Sequence, residues 1–464
     1  MSQPLSYPAH LRALIVLGLP LVGGHLAQFA IQLTDTVMLG WYGVAELAAV
    51  TLATSYFFLF FMFGSGFAMA VMPMIAALLA RDDETGLRRT ARMGMWLSVL
   101  FALACIPAMW WSDPILRALG QAVQVSADSQ RYLRIAGWGL IPGLAVMVLQ
   151  SYLAAQERTQ VVLWITVLAA ALNALFNYAL IFGAWGLPEM GLEGAALASV
   201  LTQSTALLAA VAYVARALPH HDLFARLWRP DMEVLAKVFR LGVPIGLTSL
   251  AEVTLFTVST LMMGWLGTLP LAAHGIAIKL ASAAFMVHLA FSSAATIRAG
   301  NAFGRGDRAH LARGAVAALV LSLVVSGLTM LAFLGVPGPL VAAFLEPGDP
   351  QRGAIVAIGV GLLAVAALFQ TVDGLQVVAL GLLRGMQDTT VPMLIAGLSY
   401  GIVGLGASYL LGFTLGLGGI GVWLGLVAGL SCAAGLLLLR FWRRSLPAMQ
   451  EAPDSSRCAR TARP

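Results

Sequence analysis

Twelve long apolar stretches constrain this 464-residue chain more than any other feature of its sequence. A membrane-spanning helix needs roughly 20 consecutive apolar residues. Stretches that meet this requirement lie at approximately 13–39, 47–79, 91–111, 132–154, 161–183, 192–215, 241–265, 271–297, 314–336, 353–383, 391–413 and 417–439. Charged residues make up 10% of the chain, against about 25% in soluble globular proteins. The sequence therefore predicts an all-α integral membrane protein with twelve spanning helices, and argues against a soluble enzyme.

The basic residues predict the orientation of these spans. If the N-terminus is inside, 22 Lys and Arg residues, including Arg384, lie in the terminal segments and in the loops that follow even-numbered spans. Four lie on the opposite side. The positive-inside rule then places both termini in the cytoplasm. The first apolar stretch is longer than the roughly 7–15 residues of a signal-peptide core, so we expect it to be retained. Because the basic residues never gather on one amphipathic face, we expect no nucleic-acid partner.

Motifs for metal, redox or nucleotide chemistry are missing from the sequence. The three cysteines, Cys105, Cys432 and Cys458, form no CxxC pair, which argues against redox chemistry and a structural zinc. The sequence contains no HExxH, GxSxG or Walker motif, so ATP-driven pumping and hydrolysis within the membrane are unsupported. His25 and His288 stand alone on apolar spans, where a structural role is the simpler interpretation. We therefore expect no enzyme activity, no cofactor and no structural metal.

An internal repeat divides the chain into two halves. When Leu17 is aligned with Leu241, the segment 17–49 matches its counterpart with 13 identities in 33 positions. The match continues into the loop after the second span, where Arg81 and Asp83 meet Arg305 and Asp307, and Gln156–Glu157 resembles Gln387–Asp388 further on. The repeat predicts a six-helix lobe at 8–217, a linker at 218–239, a second six-helix lobe at 240–442 and a basic, disordered tail at 443–464.

The repeat also predicts a mechanism. Because each half has an even number of spans, both halves enter the membrane in the same direction, as a parallel repeat around an axis along the membrane normal. Two such lobes enclose a central cavity, and rocking one lobe against the other exposes the cavity to each side in turn. The alternative is a duplicated bundle without a pathway.

Three carboxylates lie deep within predicted spans, namely Asp35 in the first, Glu252 in the seventh and Asp373 in the tenth. Each costs about 2.5–3.5 kcal/mol at a helix centre on insertion scales. A carboxylate shielded from water binds a proton or, if ionised, holds Na+ through its oxygens, which is what coupling to an ion gradient requires. The alternative for each residue is a carboxylate that is merely hydrogen-bonded to neighbouring hydroxyl or amide groups.

Several other residues in the spans are candidates for the same site. Pro20 and Pro244 occupy matching positions on two acid-bearing spans, where each acts either as a hinge linked to cation binding or as a simple kink. Lys279 is within reach of Glu252 along the membrane normal, and we expect it to pair with Glu252 or Asp373 in one state or else to snorkel to the interface. Asn173 and Asn177 share one face of the fifth span and either orient Asp35 or join helices.

Further polar and aromatic side chains complete the prediction. Gln28 and Gln370 are expected to support the carboxylates. Aromatic and methionine side chains that suit a pocket for flat lipophilic cations are Tyr56, Met262, Met263, Phe285, Met286 and Phe369. The alternative for these apolar residues is contact with lipid or with the core.

Several of these motifs resemble the multidrug and toxic compound extrusion (MATE) family, in particular its bacterial NorM-like branch. The resemblance rests on the Gly18–Leu19–Pro20 opening, on 35–40, on Glu252 and on 298–307, together with Asp373 and 382–390. It covers approximately residues 8–442.

The resemblance implies two six-helix lobes that form a V in a bacterial cytoplasmic membrane, and a monomer that exports cationic drugs and dyes in exchange for inward Na+ or H+. By the same resemblance, Glu252 and Asp373 form a cation site in the C-terminal lobe, which is also where Na+ would bind. Asp35, Asn173 and Asn177 form the site in the N-terminal lobe.

Two departures from the family pattern favour protons over Na+. Phe369 stands where some sodium-coupled relatives have a tyrosine, and Phe369 has no oxygen to offer an ion. Lys279 stands where a neutral amide is expected, and a fixed positive charge there would oppose Na+.

Two other transporter classes fit parts of the sequence. A flippase for lipid-linked saccharides belongs to the same superfamily, but it usually has a basic cluster in the cavity, where only Lys279 is available. A major facilitator carrier also has two six-helix halves, and the segment 79–89 is only a weak match to its basic loop.

Overall fold

A computed structural model describes residues 6–449, apart from the side chains of Val44 and Ala45. Twelve helices in these residues are long and apolar enough to span a membrane. They are α1 (Tyr7–Tyr42), α2 (Val44–Leu79), α3 (Glu84–Trp110), α4 (Val123–Ala155), α5 (Thr159–Ile181), α6 (Gly191–Ala217), α7 (Met232–Trp265), α8 (Thr268–Arg305), α9 (Arg308–Gly335), α10 (Arg352–Gly385), α11 (Thr390–Thr414) and α12 (Gly418–Ala448). The predicted all-α membrane fold is confirmed.

The observed helix ends shift two predicted boundaries. Helix α7 begins at Met232, so residues 232–239 of the predicted linker are helical. The observed linker therefore covers 218–231. Asp231 starts this helix by accepting a hydrogen bond from the Val234 backbone at 3.2 Å, a capping role that carboxylates favour. Helix α12 continues to Ala448, beyond the predicted lobe boundary at 442. The remainder of the predicted tail, from 450 onward, and Cys458 lie outside the described residues.

The turns that follow α2 and α8 show the repeat in the backbone. Asp82 and Gly306 are equivalent positions of the repeat, and both have positive φ angles, of 55° and 69°. The next residues, Asp83 and Asp307, each cap the following helix by accepting a backbone hydrogen bond three residues on, at 2.8 and 2.9 Å. The two loops that the repeat pairs therefore have the same turn conformation and the same helix cap.

The later pairing at Gln156–Glu157 is one position out of register. The positive φ angles after α4 and α10 belong to Glu157 and Gln387, both at 61°. Backbone geometry therefore aligns Glu157 with Gln387, not with Asp388. Comparing side-chain chemistry without the turn conformation produced the wrong register.

The two lobes contact each other through glycines on α1, α2, α7 and α8. A Cβ on Gly66 would lie 2.4 Å from the backbone of Gly242 and of Gly246, and one on Gly304 would lie 2.3 Å from the Ala77 carbonyl oxygen. Only glycine permits backbones to approach so closely. These contacts lie in the halves of the helices nearest the start of α1 and the end of α12. We call that side of the molecule the closed side.

The second half of α1 carries exposed polar residues. Gln28, Gln32 and Thr36 recur every four residues on α1 and are all exposed. Polar side chains at membrane depth face a water-filled space rather than lipid. We call this side, where α1 ends, the open side.

The linker is tied to the N-terminal lobe by side chains of α3. Arg92 donates to the carbonyl oxygens of Asp222 and Leu223 at 2.5 and 2.7 Å, and the Trp96 indole donates to that of Leu227 at 2.6 Å. Tyr152 on α4 lies 2.5 Å from Nδ1 of the buried His221. The linker therefore belongs structurally to the N-terminal lobe, up to the start of α7.

Candidate functional site

The first predicted site is assembled in the N-terminal lobe, where α1 packs against α5. The half-buried Asp35 accepts hydrogen bonds at Oδ1 from the Nδ2 atoms of Asn173, at 3.0 Å, and Asn177, at 2.5 Å. Both asparagines are fully buried. They share a helix face because they are one turn apart, and Asn177 also donates to Oδ1 of Asn173 at 3.2 Å.

This arrangement suits both protonation states of Asp35. The two amide groups donate to the ionised carboxylate, which can only accept hydrogen bonds. The Oδ1 atom of Asn177 is buried without a hydrogen-bond partner. A protonated Asp35 needs an acceptor for its hydroxyl, and a flip of the Asn177 amide would turn this oxygen toward Asp35 in place of Nδ2.

The second predicted site lies in the C-terminal lobe. Asp373 on α10 is 1% exposed, and its Oδ1 atom has no hydrogen-bond partner. Glu252 on α7 is half-buried and interacts electrostatically with Asp373. Two carboxyl groups that interact in this way cannot both be ionised cheaply in a buried setting. The pair therefore favours an added positive charge, either a proton or a cation.

Arg384 is the functional candidate that sequence reasoning missed. It was assigned to a loop that determines orientation, yet it lies in the last turn of α10 and is only 9% exposed. Its electrostatic partners are Glu252 and Tyr400. One signal was available: Arg384 lies eleven residues after Asp373, close to three helical turns, so the two residues share a face of one helix.

Two glutamines and a tyrosine complete the polar surroundings of Asp373. Gln370, one turn before it, donates to the Ala281 carbonyl oxygen at 2.8 Å, and Gln376, one turn after it, donates to the Tyr400 hydroxyl at 2.6 Å. All three are buried. The Oε1 atoms of both glutamines lack partners. The predicted support of Asp373 by Gln370 therefore stays a prediction, and Gln376 and Tyr400 were not predicted.

Lys279 does not form the ion pair that its sequence position suggested. Lys279 lies on α8 and is exposed. Salt bridges among residues 6–449 include none from Lys279 to Glu252 or Asp373. The positive charge close to Glu252 belongs to Arg384 instead. The exposed position agrees with the alternative that Lys279 snorkels to the interface, and pairing in another state of the protein stays a prediction.

Half of the predicted aromatic and methionine pocket is protein core. Met262, Met263 and Phe369 are at most 5% exposed, and Phe369 packs edge-on against Phe256 and Trp423. The half-buried Tyr56 lies within the N-terminal lobe, where its hydroxyl donates to the Ala108 carbonyl oxygen at 3.2 Å. The placements of Met262, Met263 and Phe369 are corrections, because apolar side chains on helices that pack on several sides are buried by neighbours.

The remaining candidates keep partial access to the surface. Phe285 and Met286 on α8 are half-buried, and Gln28 on α1 is exposed. Helices α1 and α7 continue through Pro20 and Pro244 without a break. The hinge role of these prolines stays a prediction. No cluster of three or more His, Cys, Asp or Glu suited to a metal occurs in the described part of the chain.

Two six-helix lobes that meet on one side of the membrane, each with a buried carboxyl site, define a membrane transporter of the two-lobe class. The MatE family model matches residues 20–179 and 244–410. The chain belongs to this family of transporters.

Named relatives agree with this assignment. A probable multidrug resistance protein NorM from Rhizobium meliloti (strain 1021) is 43% identical over 453 residues, which covers 97% of each chain. The protein of the same name from Pseudomonas aeruginosa is 37% identical over 472 residues and covers 100% of this chain and 95% of its own.

Solved structures share the fold. A multidrug resistance MATE family transporter described in an outward-facing conformation superimposes with a TM-score of 0.84 at 20% identity, covering 95% of this chain and 97% of its own. The eukaryotic MATE transporter AtDTX14 gives a TM-score of 0.83 at 18% identity, with coverage of 96% and 99%. At these identities the likeness concerns the fold alone.

Proposed function

We propose that this protein exports cationic and lipophilic drugs from the bacterial cytoplasm in exchange for inward protons, by alternating access. The closed side is the cytoplasmic side, as the distribution of basic residues predicts. The transporter works as a monomer in the cytoplasmic membrane, without a cofactor or a nucleic-acid partner. The relatives named as multidrug resistance proteins support the export of drugs.

The observation that carries the proposal is one buried carboxyl site in each lobe. Asp35 is held by two amides in one lobe, and Asp373 lies beside Glu252 in the other. Burial makes the ionised form costly unless a positive charge arrives. Binding an ion therefore changes the energy of each lobe, and an ion can shift a conformational equilibrium only through such a difference.

The surroundings of both sites support protons rather than Na+. At Asp35 the two asparagines present their Nδ2 donors to the carboxylate, whereas Na+ requires several oxygen ligands. At Glu252 the guanidinium of Arg384 already supplies a fixed positive charge, which opposes a second cation. A proton removes the remaining negative charge without needing a coordination shell.

The substrate preference follows from the same charges. An organic cation and a proton compete for the same carboxylates, so each is bound when the other has left. The exposed polar face of α1, formed by Gln28, Gln32 and Thr36, gives an amphipathic cation hydrogen-bonding groups beside Asp35. A carrier with this arrangement discriminates by charge more than by shape.

The first test is dye export from intact cells. We expect cells that express the protein to accumulate about tenfold less ethidium than empty cells, and D35N, E252Q and D373N each to lose this difference. E233Q is the matched control, because Glu233 is an exposed acid at the start of α7 that pairs with Lys237 at 2.7 Å. Normal export by all three variants would refute the coupling-site proposal.

The second test identifies the coupling ion. Purified protein in liposomes is given a pH gradient or a Na+ gradient, one at a time, and dye transport is followed by fluorescence. We expect the pH gradient alone to drive transport. Transport driven only by Na+ would overturn the choice of protons while leaving the export of drugs intact.

A further inference from the structure

Two histidines and an arginine join the lobes where α1 begins. His10 on α1 is fully buried, and its ring lies edge-on to that of His310 on α9, with 4.5 Å between the ring centroids. One terminal nitrogen of Arg298, on α8, lies 3.1 Å from Nδ1 of His10 and 3.2 Å from Nε2 of His310. The cluster thus links the first helix of one lobe to two helices of the other.

The donor chemistry of this cluster determines the state of both rings. A guanidinium nitrogen can only donate hydrogen bonds. Nδ1 of His10 and Nε2 of His310 are therefore acceptors, and both imidazoles are neutral in this structure. A proton on either acceptor nitrogen would remove a hydrogen bond to Arg298 and place a second positive charge beside the guanidinium.

Charged side chains of both signs surround the cluster. The groups within electrostatic range of the three residues are Glu157, Arg305, Asp307 and Arg313. Asp307 already accepts a hydrogen bond from the His310 backbone at 2.9 Å as the cap of α9. A proton on either ring would therefore add its charge directly beside the Arg298 guanidinium.

The repeat provides an internal comparison. At the equivalent junction between the lobes, Arg89 on α3 forms an ion pair with Asp231 at the start of α7. The repeat partner of Asp231 is Tyr7, which has no acidic group. One junction is therefore closed by an arginine and a carboxylate, which stay charged across the physiological range. The other junction depends on neutral histidines.

We propose that His10, Arg298 and His310 form a proton-sensitive latch that holds the lobes together on the closed side and releases them when that side becomes acidic. Protonation of either histidine replaces an attraction to Arg298 with a repulsion between α1 and the α8–α9 pair. Release favours separation of the lobes on the closed side. The proposal concerns regulation of lobe movement and extends the proposed function without depending on which ion drives transport.

The test measures the distance between the lobes directly. Spin labels are placed at T85C and A309C, two exposed positions related by the repeat on the closed side, in full-length protein with the native cysteines replaced by serine. The coupling carboxylates are also neutralised as D35N, E252Q and D373N, so that their titration does not contribute. Distance distributions are recorded by electron resonance between about pH 8 and pH 5, the range in which histidine titrates.

We expect a single short distance at high pH, and at least a threefold rise of a longer-distance population at low pH. In H10Q/H310Q this rise should disappear, because glutamine offers an acceptor oxygen but does not become charged. H220Q, at an exposed histidine of the linker, should behave like the parent protein. R89Q, which breaks the other junction, should raise the long-distance population equally at both ends of the pH range.

A rise of unchanged size and midpoint in H10Q/H310Q would overturn the latch. If that double variant does not fold, the single variants H10Q and H310Q decide in the same way, since each should reduce the rise. Because the measurement needs no drug and no ion gradient, its failure is distinguishable from a failure of the proposed transport function.

Discussion

At the scale of single residues, the most informative side chain is Arg384. It brings a permanent positive charge into the interior of the C-terminal lobe, close to Glu252. A buried charge of this kind is retained only where partners offset its desolvation. Here the partners are the same carboxylates that are proposed to bind protons, so Arg384 determines how much further positive charge the site accepts.

Replacement of Arg384 by glutamine should therefore change ion coupling rather than abolish folding. We expect R384Q to lower proton-driven dye transport by about tenfold and to move its pH profile upward by about one unit, because carboxyl groups without a cation beside them release protons less readily. R229Q, at an exposed arginine of the linker, is the control. A pH profile that stays in place in R384Q would contradict the proposed role.

A second residue, Asp231, links the stability of the protein to pH. Burial alone would raise the pKa of its carboxyl group, but hydrogen bonds from Val234 and Arg89 outweigh burial and lower this pKa. The folded pKa lies below the unfolded value of about 3.9. The stabilisation is therefore present above that pH and is lost as the pH falls through the folded pKa.

D231N should accordingly unfold at a lower temperature than the parent protein at neutral pH, with a loss of about 1 kcal/mol. The difference in stability should narrow as the pH falls below about 4, because protonation of Asp231 in the parent protein removes the charge that the variant lacks. Thermal unfolding in detergent, followed by tryptophan fluorescence, measures both quantities. A difference between parent and variant that does not change with pH would count against the ion pair.

At the scale of elements, the contact between α2 and α7 determines how closely the lobes can approach. A Cβ on Gly246 would lie 2.4 Å from the carbonyl oxygen of Phe63. Backbone atoms cannot move aside as a flexible side chain can, so the helices would have to separate. The closed side thus depends on residues that carry no functional group.

G246A should therefore reduce dye export by at least tenfold while the protein stays folded and monodisperse, because the closed side no longer seals. G275A is the matched control: it makes the same substitution on α8, where a Cβ would meet nothing within 4 Å. Dye export from cells and size-exclusion chromatography give the two readouts. Equal export by G246A and G275A would refute the role of this contact.

At the scale of the whole molecule, the sequence predicted the twelve helices, the two lobes and the N-terminal site. The length of an apolar stretch and the internal repeat can both be recognised in the sequence without knowledge of the tertiary structure. Asn173 and Asn177 were found because their spacing fixes a shared face. Arg384 was misplaced, because burial of a charged side chain depends on neighbouring helices that the sequence does not position.

The two carboxyl sites lie at different depths in the membrane. The repeat partner of Glu252 is Gln28, whereas Asp35 lies seven residues further along α1, or about 10 Å nearer the open side at 1.5 Å per residue. The hydrocarbon core is about 30 Å thick, so the sites differ by roughly a third of the transmembrane voltage. A single charge moving between these depths gains or loses about 0.8 kcal/mol per 100 mV.

This difference makes the two sites distinguishable electrically. After a pH jump on the open side, a proton that reaches the Glu252 site crosses more of the field than one that reaches Asp35. D35N, which keeps only the deeper site, should therefore show more displaced charge per bound proton than E252Q/D373N, which keeps only the shallower one, in capacitive currents on a supported membrane. The membrane potential would then act mainly on the C-terminal lobe, and the N-terminal lobe would respond chiefly to the proton concentration outside.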